Sequence, residues 1–426
     1  EAALDELIEG LRSHEDSPER LLVATEPIRG QLGMIVEKFV SAYGGQYLAF
    51  ETLEETVLRT AIKQVFGQDR LPAFDIANSQ FILSFGSDFL GSWLSPVHYS
   101  QQYGEFRQGV DRDRGTLVQV EPRFSLTAAN ADQWVPVKPG TEGILAFSIA
   151  AVIIRDGLAD PEGLQLVSQM ISPQELARYG PDAAATITGV SAERIEELAR
   201  AFVDHQPGLA LAGGSAAGHT NGLFNLTAAY ALNLLVGNVG KPGGVLLNPD
   251  SPLKGLVNDQ YAASFSQWVD ITRKMQAGSI QMALIHGANP AYSMPKSSGF
   301  KEALANVPFV VSFSSFMDET SSMADLVLPT HVSLEDWGDD VPDPSPGFQT
   351  VGFQQPVVVP FGDTKGFGDV LLTVAGELGG AVGSALPWNS LRESVRASAR
   401  YLYELNRGST SAGSFEEFWM GVLQRG

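Results

Sequence analysis

The sequence has 426 residues and not one cysteine. Without thiolates it cannot ligate an iron–sulfur cluster or a soft metal in the usual way. The absence says nothing about redox compartment, because disulfides are optional in large domains. Positive charge is also scarce: 28 Lys and Arg stand against 49 Asp and Glu, for a formal net charge of −21. The field of such a chain repels phosphate backbones, which excludes nucleic acid as a partner. Long apolar runs are missing too. Leu145 to Ile154 is among the longest, far short of the roughly 20 residues that span a bilayer, so no direct membrane span is expected. Ser314 and Ser315 lack the G-x-S-x-G setting of a hydrolase nucleophile, and no repeat of solenoid length is present.

What the chain does contain is 44% hydrophobic residues at a mean hydropathy of +0.01, enough for two or three globular domains. It opens at Glu1, and Ala2 to Leu11 already reads as a helix, so we expect a piece of a longer polypeptide. Short apolar runs alternate with amphipathic helices, the pattern of parallel sheets covered on both faces. Candidate strands are Leu21–Ala24, Phe81–Phe85, Thr116–Val120, Leu209–Ala212, Gln281–Ile285, Phe309–Phe313 and Asp325–Leu328. Ser191 caps a helix whose Ile195, Leu198, Ala199, Phe202 and Val203 recur on one face. A second helix, about Asn221 to Leu235, is apolar almost all round and belongs between layers; Gly237 and Gly240 stop it. Loops over Lys241–Gly255 and Trp337–Gly347 are long enough to carry function or meet a partner.

Four strand ends share a design: ILSFGSDFLGS (82–92), VQVEPRFS (118–125), LALAGGSAAGHTNG (209–222) and ALIHGANPAYSMP (283–295). In open α/β sheets ligands bind outside the carboxyl ends of the strands. Glycine at those ends permits positive φ and close approach by a ligand or another backbone, so a large nucleotide-like ligand is the natural occupant. Steric turn chemistry alone explains each motif about equally well.

Taken together with ADQWVPVKPGTEGILA, LNLLVGNVGKPGG and SSMADLVLPTHVSLEDWG, these segments follow the order of the molybdopterin oxidoreductase superfamily, which the chain resembles over nearly its whole length. The resemblance implies two doubly wound, mostly parallel α/β domains, the central domains of that family. It implies a discontinuous domain over 1–55 and 157–426 with an inserted domain over 56–156. It also implies a pocket for a bis-pterin guanine dinucleotide formed by Gly86, Asp88, Glu121, Arg123, Gly140, Glu142, Gly214, His219, Gly287 and Asn289. The family's metal takes a Cys, selenocysteine, Ser or Asp ligand just ahead of the helix before the FG strand. The corresponding stretch AFETLEETVLRTAIKQVFG (49–67) offers none of these. Glu121 and Glu142 stand where the family has a shorter acid.

The resemblance therefore implies a vestigial pocket, with no catalytic residue, no metal and no cofactor in this chain. The wording FILSFGSDFLGSWLSPVHYSQQYGEFR, with ADQWVPVKPGTEGILAFSIAAVI and GFQTVGFQQPVVVPFGDTKGFGDVLL, is most similar to the molybdopterin-like part of the B subunit of alternative complex III. That likeness implies iron–sulfur clusters and haem c in partner domains or subunits: an iron–sulfur domain, a cytochrome c subunit and an integral membrane quinol-binding subunit. It also implies location at the periplasmic face of the bacterial inner membrane. The alternatives are a catalytic molybdenum or tungsten enzyme liganded by a glutamate such as Glu54, or the large subunit of NADH:quinone oxidoreductase.

Individual residues carry competing readings. In an empty pocket Arg123 is expected to pair with Glu121 or Asp132 rather than a phosphate. His219 is more often a structural turn residue than a phosphate donor. His331, Glu335 and Asp336 could share a helical face, but with no second histidine nearby they make a poor metal site. Phe313, Phe316, Phe348 and Phe353 serve as core or as a contact surface for a partner.

Overall fold

A computed structural model describes the chain except for residues 53–54, 110–112, 254–255, 257–261, 345 and 426. Among the described residues nine strands build two parallel sheets: β1 Leu21–Thr25, β2 Gln46–Ala49, β3 Phe81–Phe85, β4 Thr116–Val120, β5 Gln133–Val135, β6 Gly208–Ala212, β7 Met282–His286, β8 Phe309–Phe313 and β9 Leu326–Val327. The chain divides into one unit over 1–54, 251–342 and 350–426, and another over 55–250 and 343–349. The doubly wound α/β expectation is met, but the expected boundary at residue 156 moves to 250. The reason is pairing: β6 hydrogen-bonds to β3 in parallel, from Phe81 beside Gly208 to Phe85 beside Ala212. This ties the segment after 156 to the sheet that precedes it.

In the first unit the order is β9-β8-β7-β1-β2. Alternate residues face opposite sides, as the two-residue strand period requires. Leu21, Val23, Met282, Leu284, Val311 and Phe313 enter one core, while Leu22, Ala24, Ala283, Ile285 and Val310 enter the other. Helices Gly30–Tyr43, Phe367–Leu378 and Leu391–Glu404 contribute to the first core, and Phe265–Gln276 and Phe300–Leu304 to the second. The Trp337–Gly347 loop contains Gly338–Asp340, which pairs antiparallel with Gly352–Gln354. Its Asp339 accepts from the Gln31 N–H at 2.6 Å, capping the helix that follows β1.

Burial, with a smaller contribution from Asp340, pushes the Asp339 carboxyl up from 3.8 to about 6. Its folded-state pKa is raised, so its contribution to stability is present below about pH 4 and is lost as pH rises to about 6. Asp339→Asn keeps an acceptor for Gln31 and has no charge to bury. It is expected to be more stable than the parent at pH 7 by about 3 kcal/mol, with the gap closing below pH 4. Urea unfolding across that range reads the slope directly; parallel curves for parent and variant would refute it.

In the second unit the order is β5-β4-β3-β6. Ser191 caps Ala192–Asp204 by accepting from Arg194 N–H at 3.3 Å. Ile195, Leu198, Ala199 and Phe202 are buried beneath it, as their spacing predicts. Gly222–Leu235, the helix expected between layers, is buried nearly all round and lies against β6. That strand is at the sheet edge, where unpaired backbone groups invite foreign strands. Side chains take the place of the missing neighbour. Asn233 Nδ2 donates to Ala210 O at 3.0 Å and its Oδ1 accepts from Ala210 N–H at 2.9 Å. Asn238 donates to Gly208 O at 2.7 Å, and Tyr230 OH to Ala212 O at 2.5 Å.

Candidate functional site

Each sheet has a topological switch point, where successive connections leave in opposite directions and a ligand crevice forms. In the second unit it lies between β3 and β6. Gly86 has φ +69° and Gly214 φ +51°. A Cβ on Gly86 would come within 2.7 Å of Ala216 N, and one on Gly214 within 2.6 Å of Gly86 O. Gly213 N–H donates to Phe85 O at 3.2 Å and Ser215 N–H to Gly86 O at 3.3 Å. These glycines let the two turns pack directly on each other, backbone to backbone.

Asp88 lies two residues past Gly86. Its Oδ1 accepts from the Thr127 N–H at 3.0 Å and the Thr127 hydroxyl at 2.7 Å; its Oδ2 accepts from Arg123 at 3.2 Å. Arg123 therefore pairs with neither Glu121 nor Asp132, contrary to expectation. Asp132 precedes β5 at the amino edge of the sheet, where it accepts from Leu117 N–H at 2.8 Å and pairs with Arg107. Arg123 follows β4 at the carboxyl edge, a strand length away. Glu121 is buried and accepts from the Ser125 N–H at 3.1 Å.

Gly140 (φ +77°), Glu142 and His219 come together. A Cβ on Gly140 would touch the His219 ring at 3.4 Å, and Asn221 donates to Gly140 O at 2.8 Å. Glu142 is fully buried at the start of helix Glu142–Arg155. Burial raises its pKa, opposed by backbone hydrogen bonds and by His219. Among the described residues its Oε1 meets no donor in full hydrogen-bond geometry, and its Oε2 receives a long contact of 3.4 Å from Asn225.

In the first unit the switch point lies between β1 and β7. A Cβ on Gly287 (φ +68°) would meet the Glu26 carboxyl at 2.9 Å. Asn289 repeats the Asp88 arrangement: its Oδ1 accepts from the Thr320 N–H at 3.2 Å and the Thr320 hydroxyl at 2.7 Å, while its Nδ2 donates to Glu319 at 2.7 Å. Thr127 and Thr320 escape a reading of the sequence. The findable signal is a G-x-Asp or G-x-Asn after one strand with a threonine after the next. His286, just ahead of Gly287, stacks on Phe367 at 4.1 Å and its Nδ1 lies 3.1 Å from Phe313 O. Burial pushes its pKa down to about 4, against that hydrogen bond, so the ring is neutral at physiological pH.

His331, Glu335 and Asp336 do not share a helical face, because only a single 3-10 turn, Ser333–Glu335, forms there. His331 is 3.9 Å from Asp336, and Glu335 turns away to accept from Val332 and Phe361 N–H. Among the described residues no group of three His, Asp or Glu side chains could hold a metal. Glu54 lies outside the described residues.

Two doubly wound α/β units, each with glycine turns at its switch point, define a nucleotide-cofactor class of fold. The sequence matches the molybdopterin oxidoreductase family model over residues 3–367, and the chain belongs to that family. It is 28% identical over 401 residues to the menaquinone reductase molybdopterin-binding-like subunit of Nitratidesulfovibrio vulgaris, covering 92% of this chain and 56% of that protein. It is 26% identical over 355 residues to the molybdopterin-containing subunit of arsenate respiratory reductase from Shewanella sp., covering 68% of this chain and 41% of that one. Acetylene hydratase from Pelobacter acetylenicus has the same fold at a TM-score of 0.73 and 20% identity, over 93% of this chain and 60% of the hydratase. The chain thus spans about half the length of the curated relatives it matches.

A pterin dinucleotide fits these residues poorly. The cradle glycines of the second unit are closed on each other, Asp88 and Glu121 are engaged by protein donors, and Glu142 is enclosed. Arg123 and His219 keep exposed faces, which is too little to orient a ligand of that size.

Proposed function

We propose that this chain is a cofactor-free, molybdopterin-like scaffold in a membrane-associated respiratory complex that reacts with quinone. The observation that carries the reading is the donor set: a member of a cofactor-binding family with no cysteine, no Cys, Ser or Asp across residues 51–67, and switch-point side chains bonded to one another. The likeness to a subunit named as molybdopterin-binding-like supports it. In this reading Gly86, Asp88, Glu121, Arg123, Gly140, Glu142, Gly214 and His219 of the second unit, and separately Gly287 and Asn289 of the first, hold turns rather than a ligand.

Within that role we favour the quinol-oxidising direction of alternative complex III, on the wording of 81–107, 131–153 and 347–372. Electrons then travel through iron–sulfur clusters and haem c in partner polypeptides at the periplasmic face of the inner membrane. This chain itself supplies no thiolate to a redox centre.

The test is elemental analysis of the intact purified complex, with acid extraction for oxidised pterin fluorescence. Molybdenum, tungsten and pterin are each expected well below one per chain while iron is abundant. One metal and its pterin per chain would overturn the scaffold reading and restore a catalytic enzyme. Reduction of the complex by quinol rather than by NADH separates it from the NADH:quinone oxidoreductase subunit.

A further inference from the structure

Between Lys301 and Lys365 the sequence has no Lys or Arg and ten Asp or Glu, where the average density of the chain would place about four cations. Among the described residues the same stretch carries the three most exposed apolar side chains of the first unit, Phe361, Val359 and Phe316. Phe361 is fully exposed, Val359 85%, Phe316 77% and Met317 70%, with Leu334 and Val358 also at the surface.

Hydrogen bonds join these residues into one strip beyond the carboxyl ends of β8 and β9. Ser315 Oγ donates to Thr330 O at 2.6 Å. Val357 and Val358 N–H both point to Leu334 O, at 3.0 and 3.3 Å, and Lys365 N–H reaches Pro329 O at 3.4 Å. Glu335 clips the strip by accepting from Phe361 N–H at 2.8 Å and Val332 N–H at 3.1 Å. Those two bonds hold its pKa below the ordinary carboxylate value, so it stays charged at neutral pH. Glu319 and Asp363 are exposed beside the apolar residues.

Lys365 at the end of the strip and Lys301 near Glu319 are the cations beside it, and an apolar centre with a predominantly anionic rim is how interfaces combine burial with selection of partner. We propose that this strip docks a partner polypeptide that presents apolar anchors flanked by lysine and arginine. Resting on the functional reading above, that partner is the cluster-bearing polypeptide of the complex. Anionic rims exclude acidic partners and a second copy of this chain, whose matching strip would bring like charges together.

The experiment places a photo-crosslinking phenylalanine analogue at Phe316 or Val359, in the full-length protein within its native complex, with Val97 of the other unit as the control position. Irradiation is expected to join both strip positions, and not Val97, to one Lys- or Arg-flanked segment of the cluster-bearing polypeptide. The double variant Val359→Asp, Phe361→Asp is expected to retain that polypeptide at least tenfold less at 150 mM salt, with an unchanged melting temperature of the chain itself. Raising salt should weaken retention in the parent. Crosslinks to a second copy, to an acidic segment, or to nothing while the cluster polypeptide remains in the complex would overturn the docking proposal and leave the scaffold reading standing. Stoichiometric molybdenum would overturn the scaffold reading whatever the crosslinks show.

Discussion

Asn233→Leu is expected to destabilise the second unit by about 2–6 kcal/mol, because it leaves two buried backbone groups without partners at about 1–3 kcal/mol each. Leucine keeps the branched heavy-atom skeleton of asparagine but is bulkier, so the loss combines the missing amide with some overpacking. Asn233 is fully buried and reaches both the N–H and the C=O of Ala210 on the free edge of β6. Among the described residues no strand lies beyond that edge to accept them instead. Urea unfolding followed by circular dichroism measures the change, and hydrogen exchange at Ala210 should lose protection first. A change under 1 kcal/mol would mean that the side-chain ladder is ornamental and that water can serve the edge.

Gly163→Ala is expected to be at least as damaging. Gly163 sits in helix Pro161–Met170 where it passes Gly222–Leu235, and a Cβ there would come within 1.8 Å of Leu234 O and 2.5 Å of Leu234 C. Both atoms belong to a backbone, which cannot rotate aside as a side chain could. The helices must separate, opening the buried contact between them at a cost of about 3 kcal/mol or more. Soluble yield and melting temperature check it. As an internal control, Gly67→Ala meets no atom within 4 Å but carries φ +72°, so it should lose only about 1 kcal/mol through strain.

The seven strands predicted from sequence all form, because runs such as FILSF and FVVSF are apolar and bounded by turn residues. Two strands of the sheets were not legible. QYLA (46–49) is only partly buried and QWV (133–135) is a three-residue edge piece with Gln133 and Trp134 exposed, so neither has the apolar signature of a central strand. The unit boundary was hidden for a different reason. Sequence shows that a strand exists at 208–212 but not which neighbour it chooses, and its return to β3 is a property of topology. The helices at 192–204 and 222–235 were readable because one follows a 3.6-residue stripe and the other lacks a polar face. For the candidate site, the glycine turns were legible as turns, whereas their purpose, closing on each other or admitting a ligand, depends on what stands opposite. The partner of Arg123 was misassigned because nearness in sequence to Asp132 concealed that the two lie at opposite ends of a strand.

The twin clasps at Asp88 and Asn289 show why one is an acid and the other an amide. In both, Oδ1 receives a threonine twice over, so that half of the side chain is interchangeable. The remaining atom decides: Oδ2 of Asp88 faces the guanidinium of Arg123, and Nδ2 of Asn289 faces the carboxylate of Glu319. The same mould has been cast twice and finished to suit the charge of a neighbour. Exchanging the two residues without exchanging Arg123 and Glu319 would set an amide N–H against a cation in one unit and two anions against each other in the other.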